Sequence, residues 1–125
     1  IWITPAEHMK KRKPHRQPLS LQAIERLEYI NQLTGNQEFI LGNANDKIMS
    51  ENAMLYALKR FGDYTTHGLR ASLGSWCSEN GVSKAVSDHI KAHQPKYMKA
   101  AYDRVDLLEE RRAVLQKWAD YVTGT

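Results

Sequence analysis

Apolar side chains recur three or four positions apart in five stretches of this 125-residue chain, and caps or glycines separate the stretches. This spacing is the period of an amphipathic α-helix, and it excludes a fold built mainly of strands. Ser or Thr stands before several stretches, where its side chain can cap the first turn. The predicted helices follow the cap Ser20 up to Thr34, the cap Ser50 up to Gly62, the cap Thr66 up to about Glu79 and the cap Ser83, and the last runs from Asp106 to Val122. A brief sixth helical segment is expected from Tyr97 to Tyr102.

The beginning of the chain follows a different pattern. "IWI" alternates, with Ile1 and Ile3 on one face, as in a strand, and Pro5 ends it. The stretch "HRQPLS" is a candidate return strand, so the basic residues between them would form a hairpin connection. The predicted fold is therefore mainly α with a small N-terminal β-hairpin. Because "IWI" reads as the middle of a strand, we interpret the chain as a piece of a longer protein.

Charge and cysteine usage restrict the classes of function. The net charge is +4, and basic residues concentrate in the stretch Lys10 to Arg16. Such a cluster fits a polyanionic partner, although a solvated loop explains it equally well. The single cysteine, Cys77, excludes an internal disulfide and favours a reducing compartment. No apolar run approaches the length of a membrane span.

The motif "HGLR" carries the most specific chemistry. His67 and Arg70 are three residues apart at the start of a predicted helix, so they share one face. Free backbone N–H groups and the helix dipole favour an anion there. A guanidinium matches two phosphate oxygens, and an imidazole exchanges protons near neutral pH. The pair suits chemistry on a phosphate, but the motif alone is weak, since a capping His beside a surface Arg is common.

Further residues follow in a recognisable order. Lys10 lies in the hairpin connection, "HGLR" comes next, then His93, and Tyr102 follows nine residues later. With "MKKRKPHRQPLS", "HGLRAS", "AYDR" and "EERRAVLQKWADYV", the chain resembles the catalytic domain of the tyrosine recombinases, in particular phage and prophage integrases. The resemblance covers nearly the whole chain, and four motifs in order are far more specific than any one.

The resemblance implies site-specific recombination through a 3′-phosphotyrosyl intermediate. Tyr102 would be the nucleophile, Arg70 would hold the non-bridging oxygens, and His67 would exchange the tyrosine proton. Lys10 would protonate the leaving 5′-oxygen, with Lys11 and Lys13 as competing assignments, and His93 would bind the phosphate. Further candidate DNA contacts are Lys11, Arg12, Lys13, His15 and Arg16. A phenol, whose pKa is normally about 10, needs such help to act as a nucleophile.

The resemblance also implies the partners. They are double-stranded DNA attachment sites and other protomers in a synapse, expected to be a tetramer on DNA, in the bacterial cytoplasm at the nucleoid. The isolated chain would be a monomer without membrane contact. No cofactor and no metal are expected. Residues 1–125 would form the C-terminal portion of the catalytic domain. The family's first arginine and N-terminal DNA-binding domains would lie upstream, and neither Arg12 nor Arg16 can replace that arginine, so this piece alone should be inactive.

Two other functions compete with the enzyme. One is a DNA-binding fragment or degenerate recombinase without chemistry, and the other is a helical interaction domain whose charge only solvates it. His89 and His93 mimic a zinc pair, but with one cysteine a metal site is disfavoured. Trp76 and Trp118 lie among apolar residues and are predicted to be core.

Overall fold

The computed structural model describes residues 1–10, 12–35, 37–42, 45, 47–93 and 106–125. In these ranges it contains the strands β1 (Trp2–Thr4) and β2 (His15–Gln17) and the helices α1 (Leu21–Thr34), α2 (Ala53–Lys59), α3 (Thr66–Glu79), α4 (Lys84–Ile90) and α5 (Leu108–Thr123). The predicted helical fold with an N-terminal hairpin is thus confirmed. The segment predicted from Tyr97 to Tyr102 lies outside the described residues.

The chain divides into two compact units. Unit 1 comprises Ile1–Ser20 and Leu73–Thr125, and unit 2 comprises Leu21–Ser72. Unit 1 therefore holds the hairpin, the C-terminal half of α3, and α4 and α5. Unit 2 holds α1, α2 and the N-terminal half of α3. None of the helices in the described ranges has the length and apolar character needed to cross a membrane.

The hairpin of unit 1 pairs its strands antiparallel, with Ile3 opposite Arg16. Its connection includes a short 3-10 turn at Ala6–His8 and a left-handed residue, Arg12, with φ 53°. Ile1 and Ile3, expected to share an apolar face, are 49% and 61% exposed. The hairpin is held to α5 by main-chain and charged contacts instead.

The core of unit 1 lies where α3, α4 and α5 meet. Its buried apolar residues are Trp76, Cys77, Val86, Ile90 and Ala119. The rings of Trp76 and Trp118 lie edge to face with centroids 5.4 Å apart, and Tyr121 is stacked 5.7 Å from Trp118. Trp76 is therefore a core residue, as predicted, and Trp118 packs against it while remaining half-buried. Burial raises the pKa of the Cys77 thiol, which a hydrogen bond with Ser87 only partly offsets.

Helix α5 packs on α4 and β2 of the same chain, as expected for its amphipathic sequence. The buried face follows the apolar stripe of the sequence except at its end. Val122, the last apolar residue of that stripe, is 56% exposed, whereas Arg111 and Ala119 are buried. The charged residue Arg111 thus lies on the packed face, where hydrogen bonds to Arg16 and Asp106 satisfy its guanidinium.

Unit 2 contains the two helices with no fully buried residue, α1 and α2. Both were predicted with apolar stripes, but Leu33 is 68% exposed, Met54 50% and Phe61 81%. Helix α2 also begins later than predicted, because Asn52 rather than Ser50 is its N-cap. Helical spacing predicts that such a stripe exists, but only a covering neighbour buries it.

Candidate active site

The start of α3 is fixed by Thr65. Its hydroxyl oxygen accepts a hydrogen bond from the Gly68 N–H at 2.9 Å, and its carbonyl accepts from the Leu69 N–H at 3.1 Å. Thr65 is therefore the N-cap, and the predicted cap, Thr66, is the first helical residue. This one-residue shift makes His67 the second residue of the helix.

His67 and Arg70 are exposed, as a site that receives a large ligand requires. They lie three residues apart on α3, so helical geometry places them on the same face. The helix dipole is positive at this end. An imidazole and a guanidinium that share a face beside a helix N-terminus form a suitable arrangement for a phosphate.

The end of α4 places His93. Ala92 has a left-handed backbone, with φ 49°. The Ala92 N–H donates to the His89 carbonyl at 3.0 Å, and the His93 N–H donates to the Asp88 carbonyl at 2.8 Å. These two bonds define a Schellman motif, in which the chain folds back over the last helical turn. His93 is consequently fixed at its backbone while its side chain stays 65% exposed.

Asp88 lies beneath His93 and is only 2% exposed. One carboxylate oxygen, Oδ2, accepts from the Lys84 ammonium at 2.5 Å. The other, Oδ1, is 3.6 Å from His93 Nδ1 and 3.7 Å from Lys91 Nζ. Burial alone would raise the pKa of this carboxyl, but the hydrogen bond and charge of Lys84, with Lys91 and His93, outweigh burial and lower it. Asp88 is therefore an anion surrounded by three basic side chains.

Lys91 joins α4 to α3 within unit 1. Its ammonium lies over Gly74, where a Cβ would be 3.5 Å from Nζ. A side chain larger than a methyl group at position 74 would compete with Lys91 for this space. The lysine is mostly buried, with 23% of its side chain exposed.

The basic hairpin connection is exposed at Lys10, Arg12 and Lys13. Two other DNA-contact candidates have partners inside the chain. The His15 ring is 3.0 Å from the Gln17 side-chain oxygen, and Arg16 Nη1 donates to Asp106 Oδ2 at 3.1 Å. The Arg16 side chain therefore holds Asp106 in the folded chain.

Arg111 completes this contact from α5. It is 1% exposed and donates to the Arg16 carbonyl at 2.6 Å, to the Asp106 carbonyl at 3.0 Å and to the Asp106 carboxylate. Burial lowers the pKa of the Arg111 guanidinium, and the charge of Asp106 opposes that change. This Arg16–Asp106–Arg111 network connects β2 to α5.

The predicted site residues are thus distributed over three parts of the chain. Lys10 and His93 belong to unit 1, and His67 and Arg70 belong to unit 2. Tyr102 and Lys11 lie outside the described residues. Convergence of these groups on one phosphate stays a prediction.

Sequence reasoning missed three residues that contact candidate site residues: Asp88, which lies beside His93, and Asp106 and Arg111, which hold Arg16. Asp88 had a signal, since Lys84 lies four residues before it and an i, i+4 pair of opposite charge stabilises a helix. Arg111 also had one, since it lies between Leu108 and Leu115 in the apolar stripe of α5. A charge at a stripe position indicates a buried partner.

Metal ligands do not cluster in the part of the chain that the structure describes. No group of three or more His, Cys, Asp or Glu residues there is arranged to hold an ion.

Comparison with known proteins gives matches over nearly the whole chain. The chain is 38% identical over 123 residues to the prophage integrase IntZ and 36% identical over 127 residues to the prophage integrase IntA, both of Escherichia coli strain K12. The alignments cover 94% and 97% of this chain. The chain is a homologue of the prophage integrases. The integrase of Enterobacteria phage P4 is 32% identical over 124 residues.

This integrase homologue spans less than a third of the length of those relatives, namely 31%, 31% and 28%. The resemblance found in the four motifs is thereby confirmed at the level of the family. No family model and no solved structure matches the chain.

Proposed function

We propose that this chain carries the nucleophile and most of the phosphate-binding groups of a tyrosine recombinase that integrates or excises a prophage. The observation that carries the proposal is the exposed His67–Arg70 pair on the first turns of α3, in a chain related to integrases along 94% of its length. The pair presents a phosphate-binding guanidinium and a proton-exchanging imidazole to solvent, where duplex DNA has access.

The proposed reaction is an exchange of phosphoesters. The Tyr102 oxygen attacks the phosphorus, its proton passes to His67, and the bond to the 5′-oxygen breaks. Lys10 gives that oxygen a proton, so a 3′-phosphotyrosine and a free 5′-hydroxyl form. Attack by the 5′-hydroxyl of another strand reverses the sequence and releases the tyrosine.

The remaining groups stabilise the charge. Arg70 holds the non-bridging oxygens as negative charge develops, a role that preorganised donors fill in many enzymes. His93 donates a hydrogen bond to the same phosphate. The number of ester bonds is conserved, so the reaction needs no nucleotide to drive it.

The proposal is tested with the full-length protein on a nicked DNA substrate whose cleavage traps the intermediate. The wild type should form a covalent protein–DNA adduct, and Tyr102→Phe should form none while binding DNA normally. Tyr97→Phe, five residues earlier, is the matched control and should retain the adduct. An adduct that persists in Tyr102→Phe would refute the assignment.

A second candidate is DNA binding without chemistry, favoured by the exposed charges of Lys10, Arg12 and Lys13. In that case DNA affinity would fall steeply with salt, but no adduct would form with the wild type. The adduct assay therefore separates the two candidates in one experiment.

A further inference from the structure

The contacts of the α4 C-terminus give one buried carboxylate a specific task. We propose that Asp88 is a positioning residue for His93, holding the imidazole through Nδ1 so that Nε2 is directed to the DNA phosphate. The inference rests on the proposed function, because it assigns His93 to that phosphate, and it adds a residue for which sequence reasoning gave no role.

Asp88 holds His93 at two points. Its backbone carbonyl accepts the His93 N–H at 2.8 Å, and its carboxylate oxygen lies 3.6 Å from His93 Nδ1. The second distance is longer than a hydrogen bond, so in the free protein this contact is electrostatic. Such contacts commonly shorten when a substrate binds and orders the site.

Burial makes Asp88 a suitable anchor. The residue is 2% exposed, so its carboxylate cannot rotate freely into solvent. The Lys84 ammonium, on a side chain that is 81% exposed, donates to Oδ2 at 2.5 Å, and Oδ1 faces His93 and Lys91. Because burial limits the rotation of the carboxylate, we expect Oδ1 to stay toward the imidazole even when the exposed lysine is replaced.

The charge of Asp88 decides what the imidazole can do. A carboxylate only accepts, so the Nδ1 that faces it carries a proton. Nε2 then lies on the opposite edge of a side chain that is 65% exposed. When Nε2 also donates to a phosphate, the ring is the imidazolium ion, which the neighbouring anion stabilises.

The alternative is that Asp88 only stabilises α4 through Lys84. A double-mutant cycle separates the two roles. The quantity measured is the single-turnover rate of adduct formation by the full-length protein at saturating DNA. Asp88→Asn should slow adduct formation about 10- to 100-fold, the loss expected for one charged hydrogen bond, with DNA affinity little changed. In the His93→Ala background, Asp88→Asn should have no further effect.

Lys84→Gln is the matched control, because it removes the partner of Oδ2 without touching Oδ1. It should lower the thermal midpoint but leave the rate of adduct formation within about threefold. If Asp88→Asn slows the His93→Ala protein as much as it slows the wild type, Asp88 acts through stability alone and the inference is overturned.

A spectroscopic measurement tests the contact even if Asp88→Asn does not fold. In ¹⁵N-histidine-labelled wild type at about pH 8.5, where imidazoles are ordinarily neutral, His93 should be protonated at Nδ1. In Asp88→Asn the amide oxygen should turn to Lys84 and the amide N–H group to His93, which moves the proton to Nε2. Protonation of His93 at Nε2 in the wild type would overturn the inference.

Failure of the inference is distinguishable from failure of the proposed function. If Tyr102→Phe still forms the adduct, the assigned nucleophile is wrong. If Tyr102→Phe abolishes the adduct, but His93→Ala with Tyr102 intact forms the adduct as fast as the wild type, the His93 assignment fails. The Asp88 inference then fails with it. Additive effects of Asp88→Asn and His93→Ala reject the Asp88 inference alone.

Discussion

Arg111 on α5 donates a hydrogen bond to the backbone carbonyl of Arg16 on β2, 95 residues earlier in the chain. The same guanidinium holds Asp106, whose carboxylate also pairs with the Arg16 side chain. Two ends of unit 1 are thus connected through one buried arginine.

We expect Arg111→Ala to lower the free energy of unfolding by about 1.5–3 kcal/mol, because the Arg16 carbonyl loses its charged donor, whereas the Asp106 carboxylate is 46% exposed and keeps its contact with Arg16. The measurement is the denaturant midpoint with its slope. Arg112→Ala is the control: Arg112 pairs with Glu109 at 3.2 Å, but both side chains are substantially exposed. Such surface pairs contribute roughly 0–1 kcal/mol. Equal losses for the two variants would show that the network does not stabilise unit 1.

Asp88 should make stability depend on acidic pH. Its pKa is lower in the folded protein, so the folded state binds fewer protons than the unfolded state. Its contribution is therefore complete above the unfolded pKa, about 3.9, and is lost as the pH falls through the folded value. Denaturant midpoints from pH 6 downward should show a steeper acid loss in the wild type than in Asp88→Asn. Parallel pH curves would contradict the role assigned to this carboxylate.

Ala92→Gly should stabilise the protein by about 0.5–1 kcal/mol. Ala92 has φ 49°, a conformation that costs an L-residue about 1–2 kcal/mol, and glycine removes this cost while adding unfolded-state entropy. Ala113→Gly, in the exposed middle of α5, should instead destabilise by about 1 kcal/mol. The thermal midpoints of the two variants should move in opposite directions. A lower midpoint for Ala92→Gly would mean that the left-handed turn before His93 is not formed.

Thr65→Ala should destabilise the first turn of α3 by about 1 kcal/mol, because the Gly68 N–H loses its side-chain acceptor. Hydrogen exchange at Gly68 should become faster, and since His67 lies in this turn, adduct formation should slow as well. Thr66→Ala is the neighbouring control and should leave exchange at Gly68 nearly unchanged. A larger effect of Thr66→Ala than of Thr65→Ala on exchange at Gly68 would show that Thr66 is the cap, as predicted from the sequence.

Local spacing in the sequence determined the class of fold and the order of the elements. The helices after Ser20, Thr65 and Ser83 begin within a residue of their predicted starts, since caps and periodicity act over a few residues. The order of Lys10, "HGLR", His93 and Tyr102 along the chain likewise identified the integrase family, which the comparisons bear out. Spacing and order are properties of the chain itself, so neither requires knowledge of which elements pack together.

Tertiary structure alone decided which faces are buried and which charges are paired. Phe61 and Val122 lie on apolar stripes of the sequence but are exposed, while the charged residues Asp88 and Arg111 are buried. The physical reason is that burial depends on which element covers a face, and a charge tolerates burial only when partners satisfy it. Asp88 meets a partner just beyond its helix, at His93, and Arg111 meets one across the chain, at Arg16.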